Sequence, residues 1–529
     1  MDRYKVALHD ICKILRDFIH TPHFKRALIC GVALYALALF ALLRGDIYYM
    51  DDFQHSISDS GNANTFSRYL IPLILGGALT LGKGTLDISP LPQILGIVFI
   101  VLSAMILLYL IRRKFDLLGI LASLPLGLSP HFLQNLSYKF DAITMGLALF
   151  FAILPFLFQK QARIFCTVSV LCLLLMFMSY QAANGTYIIL SLYFALFATS
   201  QNLKSRLKFL LLCALNLIIA SALYKLAIAQ PVSEYIVAYT SDKMLPLDSR
   251  FLLGVWGNLG AYLTTIFSDL KQTPYIWLIA LNCALFVAHT TIISNSRIYE
   301  FFSAILFLAL GFCASFGLFL VLEKPVFEPR VFYGFSALIA TLCIANVSHF
   351  AESNVFCHSE RSEESQKNNR DSSVALLPQN DNFLFKILRL LSRATVLITA
   401  YFLISFANIY GNALTKQDEY LDFRAKLLLQ DLGEKIPQGA MIDLYIYIDK
   451  HAVARRFSEK YGEISRLIPQ VADNDWFFHW RLAHLNARYN FHNREMCSFL
   501  KENFGSEVVL KNAYHTIERA KSCYIVTIR

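Results

Sequence analysis

The stretch Asp46-Ile47-Tyr48-Tyr49-Met50-Asp51-Asp52-Phe53 sets two adjacent carboxylates directly after an uncharged apolar run, Ala27 to Leu43. Such a run has about the length a helix needs to cross a bilayer, roughly 17–25 residues. Lys5, Lys13, Arg16, Lys25 and Arg26 precede it. The positive-inside rule therefore keeps the basic segment 1–26 in the cytoplasm and brings Asp51 and Asp52 out on the far side. Read as a loop at the membrane surface, this stretch leaves both acids in contact with water.

The rest of the chain repeats the pattern. Of 529 residues, 56% are hydrophobic and 16% charged, with 43 Phe and 26 Tyr. That balance excludes a soluble globule and predicts a polytopic α-helical membrane protein. The formal charge of +10 would point to nucleic acid in a soluble protein. Here Lys and Arg sit in short loops between apolar runs, so their expected partner is the lipid bilayer and no nucleic acid is implied.

Apolar runs at Leu91–Ile111, Leu117–Ser129, Ala142–Phe158, Ile164–Tyr180, Ala183–Ser200, Phe209–Ala229, Pro274–Ile293, Phe301–Leu322, Val331–His349 and Leu390–Tyr410 bring the expected count to about eleven spans. The membrane domain is thus read as 27–410, with a long first outer loop 44–90. Within that loop Tyr69 to Leu81, short and rich in Gly and Pro, is expected to lie at the interface or dip in. Phe251 to Phe267 is likewise expected to be interfacial. The polar stretch 351–386 reads as a disordered cytoplasmic linker. From 411 to 529 the composition becomes that of a soluble protein, with helical periodicity over Asp418–Lys435 and strand patterns at Met441–Ile448 and Cys523–Ile528. The parity of the spans predicts that this small α/β domain is periplasmic. A Cys497–Cys523 disulfide is possible there.

Ionisable residues are scarce in the middle of the spans, which argues against an ion-coupled transporter. They gather at the outer ends: Asp51, Asp52, His55 and Arg68 in the first loop, Tyr138-Lys139-Phe140-Asp141 in the second, Tyr180-Gln181 in the third, then Glu328 and Arg330. Acids and bases on one rim suit transfer of a sugar from a lipid-linked phosphate. The attacking hydroxyl needs a carboxylate as general base, and the departing phosphate needs a cation beside it. Asp51 and Asp52 are the candidate catalytic acids. Arg68, Tyr138, Lys139, Asp141, Gln181 and Arg330 are the candidate substrate contacts. No metal-ligand spacing occurs, and although two adjacent acids can hold a divalent cation they are a sparse oxygen shell for one, so no cofactor and no obligatory metal are expected.

Tyr48 to Phe53, Leu136 to Asp141, Tyr180-Gln181-Ala182, Pro329-Arg330-Val331 with Gly334-Phe335, and Asn412-Ala413-Leu414 together resemble the GtrII family of bacterial glucosyltransferases. Ser67 departs from the glycine expected before Arg68. The resemblance implies a GT-C-like membrane glycosyltransferase of the bacterial inner membrane, with the catalytic role on Asp51 and Asp52. It implies a polyprenyl-phosphate sugar as donor and O-antigen or another surface glycan as acceptor. The alternatives are a lipid-linked sugar translocator and a glycan polymerase or ligase using a polyprenyl-diphosphate donor.

Overall fold

The computed structural model describes residues 2–58, 68–198, 202–229, 243–293, 296–348, 381–469, 476–491 and 494–529. Among them, seven helices are long and apolar enough to cross a membrane, or eight if one bent pair counts as a span. The difference from about eleven lies in interrupted and short helices. The first run is split into Phe24–Ala38 and Phe40–Arg44 at Leu39, and neither proline nor glycine accounts for the break. Leu117–Leu128 meets Pro130–Ser137 at 56°, where Pro130 interrupts the helical hydrogen bonding. Ala142–Phe158 and Tyr333–Asn346 are apolar but shorter than a full span.

The bent pair changes the expected second loop. Residues 130–137, read as loop, are helical and buried, so only Tyr138 to Asp141 remain between that helix and the next. Leu70–Leu79 forms a short helix whose second part is π-helical. At about 1.5 Å per residue its length is roughly 15 Å, half a bilayer, in keeping with a segment that dips in. Phe251–Leu270 is long enough to span, but it lies along the 315–327 loop. Asn258 donates to the Leu320 and Leu322 carbonyls, and Tyr262 meets Ser315 at 2.5 Å.

The linker read over 351–386 falls mainly outside the described residues; its last residues, from Asp381, already belong to a helix of 55 residues, Asp381–Lys435. At 1.5 Å per residue this helix is roughly 80 Å long, against a hydrocarbon core of about 30 Å. No break separates the membrane part from the tail at 411. Gly411 is where this helix touches the first span: a Cβ there would sit 2.6 Å from the Leu42 amide nitrogen.

Beyond the membrane the same helix lays Leu421, Ala425, Leu428 and Leu432, a four-three-four spacing, against a five-stranded sheet. The strands are β1 Met441–Ile446, β2 Asn490–Phe491, β3 Glu507–Lys511, β4 His515–Ala520 and β5 Cys523–Ile528. Their order is β2-β1-β5-β4-β3. β1 runs parallel to β2 and β5, while β4 is antiparallel to β3 and β5. Period-two alternation sends Ile442, Leu444, Ile446, Val526 and Ile528 to the face covered by the long helix and Phe478. The opposite face carries Ala520, Cys523 and Ile525 under the Arg494–Phe504 helix. Cys497 and Cys523 are joined in a disulfide across that face.

Candidate active site

The acid loop leaves the first span through two left-handed turns at non-glycine residues, Asp46 (φ 49°) and Met50 (φ 52°). Such backbone costs of order 1 kcal/mol or more and persists only where surrounding contacts impose it. Here the contacts are those of Asp52. Its carboxylate accepts from the amides of Tyr49 and Lys139, both at 2.9 Å, and of Phe140 at 3.4 Å. Asp52 thereby fastens its own loop to the second one, Tyr138 to Asp141. It is 1% exposed, which corrects the expectation that both acids lie at the surface. Burial, aided by the charges of Asp51 and Asp141, lifts its carboxyl well above the usual range, and the amides of Lys139 and Tyr49 oppose the rise.

Asp51 precedes the helix Asp52–Ile57, is half-buried, and makes no side-chain hydrogen bond or ion pair among the described residues. Consecutive side chains diverge, so the two acids face different surroundings. Asp51 shares its electrostatic neighbourhood with Asp141 and Arg330. Asp141 is 6% exposed, and its Oδ1 has no partner among the described residues. Burial raises its carboxyl, Asp51 adds to the rise, and His55, Arg68 and Arg330 counter it. His55 is buried and stacked on Phe140.

Two guanidiniums complete the group. Arg330 Nη1 donates to the Tyr138 hydroxyl at 2.8 Å, and the Arg330 amide donates to Gln134 Oε1 at 2.8 Å. Arg68 lies over the Tyr180 ring at 4.6 Å and meets Gln181 Oε1 at 3.4 Å. Gln181 in turn donates to the Tyr224 hydroxyl at 2.9 Å. The structure therefore brings Asp51, Asp141, Arg68, Tyr138, Gln181 and Arg330 to one place, out of four separate loops.

Lys139 does not join them. Its ammonium is 2.5 Å from Asp46 Oδ1, 3.7 Å from Asp87 Oδ2 and 3.7 Å from the centre of the Tyr48 ring, with the side chain 3% exposed. Asp87 also accepts from the Tyr48 hydroxyl at 2.5 Å and from Ser89. Burial alone would raise Asp87, yet Ser89, Tyr48 and Lys139 together hold it below the usual range. Lys139 is thus committed to the loop's own structure. Asp46 and Asp87 were missed as site-building residues because an acid in an outer loop carries no local mark of its partner. Gln134 lay in a stretch read as loop. Among the described residues no group of three His, Cys, Asp or Glu is placed to hold a metal ion.

A many-helix membrane fold that gathers two carboxyl and two guanidinium groups from separate loops, under a small α/β domain, defines a class of membrane-embedded enzyme-like proteins. The family model "Glucosyl transferase GtrII" matches residues 39–341, more than half of the chain, and the protein belongs to that family. A 55.3 kDa protein from the gtrB 5′ region of Salmonella phage P22, itself described as uncharacterized, is 27% identical over 259 residues, 46% of this chain and 51% of that protein. The chain thus spans about half the length of the curated relative it matches. Crystal structures of ArnT from Cupriavidus metallidurans, apo and bound to undecaprenyl phosphate, align with a TM-score of 0.39 at 11% identity, covering 91% of this chain and 96% of that one.

Proposed function

We propose that this protein transfers glucose or a similar hexose, with inversion, from a polyprenyl-phosphate donor to O-antigen or another surface glycan at the periplasmic face of the bacterial inner membrane. The observation that carries this reading is a carboxylate, Asp51, with no hydrogen bond or ion pair among the described residues, in one electrostatic neighbourhood with Asp141, Arg330 and Arg68, in a chain of the GtrII family. The acceptor oxygen bonds to the anomeric carbon as the bond from that carbon to the phosphate oxygen breaks. Asp51 takes the hydroxyl proton. The polyprenyl phosphate departs as an anion, and the guanidiniums of Arg330 and Arg68 neutralise it. Asp52 holds the loop that carries the base.

The reading assigns the cationic role to the two arginines and requires no metal. Purified protein given labelled polyprenyl-phosphate glucose and acceptor glycan tests it: transferred label, unaffected by chelator, is the expected result. Movement of the lipid-linked sugar without transfer would mark a translocator instead. Transfer only from a diphosphate donor would mark a polymerase or ligase.

A further inference from the structure

The helix that begins at the acid pair, Asp52–Ile57, has six residues. An isolated helix needs roughly 12–15 residues to be even marginal in water, so outside packing must hold its direction. One side of it is held by Asp52 on the Lys139 and Phe140 amides and by His55 on Phe140. The other side meets the C-terminal domain's helix Trp476–His484.

The Arg481 guanidinium lies over the Phe53 ring at 4.4 Å. His484 Nδ1 is 2.8 Å from Ser56 Oγ, and its ring sits 4.8 Å from that of Tyr48 and 5.6 Å from that of Phe53. Tyr48, Phe53 and Ser56 bracket Asp51 in sequence. Arg481 is itself fixed, 2.5 Å from Asp418 and 3.2 Å from Asp422. Both acids belong to the 55-residue helix that comes out of the membrane part. The load path therefore runs from that helix through Arg481 to the short helix that aims Asp51.

We infer that Arg481 and His484 are positioning residues for the Asp51 general base, and that the C-terminal domain serves as a bracket on the acid loop. The inference rests on the function proposed above. A guanidinium over an aromatic face and a ring nitrogen on a hydroxyl fix both the tilt and the rotation of a one-and-a-half-turn helix. His484 makes its bond as a neutral ring. Burial holds it below the usual histidine range, Arg481 and Lys139 reinforce this, and Asp422 and Asp87 oppose it. Ser56 and the rings of Tyr48 and Phe53 are its uncharged neighbours.

The test joins kinetics to amide exchange in the full-length protein. Arg481→Ala and His484→Ala should each lower kcat about 10- to 100-fold, the usual cost of misplacing a reacting group by about 1 Å. The donor KM should stay within about twofold, since neither side chain reaches the arginines. His484→Asn, which can present a side-chain amide near the Nδ1 position, should recover most of the loss. Ser56→Ala removes the same bond from the loop side and leaves the C-terminal domain untouched, so it should reproduce the His484→Ala defect. Combined with His484→Ala it should add nothing. In the alanine variants, amides of residues 52–57 should exchange about tenfold faster while those of β1 and β5 stay as in the wild type. Turnover within about twofold of wild type, or unchanged exchange in residues 52–57, would overturn the bracket. A wild-type protein that transfers no sugar, with faster exchange in the variants, would remove the proposed reaction and leave the bracket standing.

Discussion

At the scale of single residues, two neighbouring acids have become unequal through their surroundings. Asp51 has no hydrogen-bond or ion-pair partner among the described residues and shares its neighbourhood with Asp141 and Arg330, while Asp52 spends both oxygens on three backbone amides. Asp51→Asn should cut turnover on the order of 100- to 10,000-fold with an unchanged melting temperature, since an amide cannot take the acceptor's proton. Asp52→Asn should behave differently. An amide nitrogen in that position faces backbone donors, so the variant should lose about 1–3 kcal/mol of stability along with activity. Thermal melts beside kinetics separate the two. Normal stability with normal turnover in both variants would reduce the pair to loop acids.

At the scale of elements, the second loop, Tyr138 to Asp141, is aimed by a close helix crossing. Gly96 on Leu91–Arg112 and Gly146 on Ala142–Ile153 meet backbone to backbone: a Cβ on Gly146 would lie 2.5 Å from the Gly96 carbonyl oxygen. Small residues allow such an approach in membranes, where packing takes over from the hydrophobic effect. The second of these helices starts at Ala142, directly after Asp141, so its placement sets the position of that acid and of the Lys139 and Phe140 amides. Gly146→Leu should force the helices apart, cost about 1–3 kcal/mol, and lower turnover by loosening the Asp52 contacts. A melt and a rate within error of wild type would show that the crossing is more yielding than its geometry implies.

At the scale of the whole molecule, the C-terminal domain is seated on the membrane part by a second buried polar group. Arg466 pairs with Asp269 at 2.7 Å and donates to the Phe327 carbonyl, and His131 meets the same Asp269 oxygen at 3.0 Å. One turn earlier, Glu463 is buried, and that burial together with the Asp269 charge pushes its carboxyl up to about 8. An acid whose folded value is raised binds its proton more tightly when folded. Its stabilising contribution is complete below the unfolded value of about 4.5 and is lost as pH rises toward 8. The melting temperature should therefore fall across that window. Glu463→Gln should flatten the slope and gain about 1–3 kcal/mol at pH 8, and a slope unchanged by the substitution would clear Glu463 of the effect.

The sequence by itself determined the membrane character, the order of the polar loops, the first and last strands and the leading helix of the tail, and the acid pair as the place to look. Those are local signals: hydropathy over a window, alternation along a strand, and a polar motif at the end of an apolar run. Only the tertiary structure decided that the bent helix at Pro130 takes up residues 130–137 of an expected loop, that one helix runs unbroken from membrane to tail, and that Lys139 answers to Asp46 and Asp87. It also buried Asp52 on backbone amides and left Asp51 half-buried, and brought Arg481 and His484 more than 420 positions along the chain to Phe53 and Ser56. The physical reason is that a side chain's protonation, exposure and partner depend on what packs against it from elsewhere in the chain, and hydropathy or spacing along one segment carries no record of that neighbour.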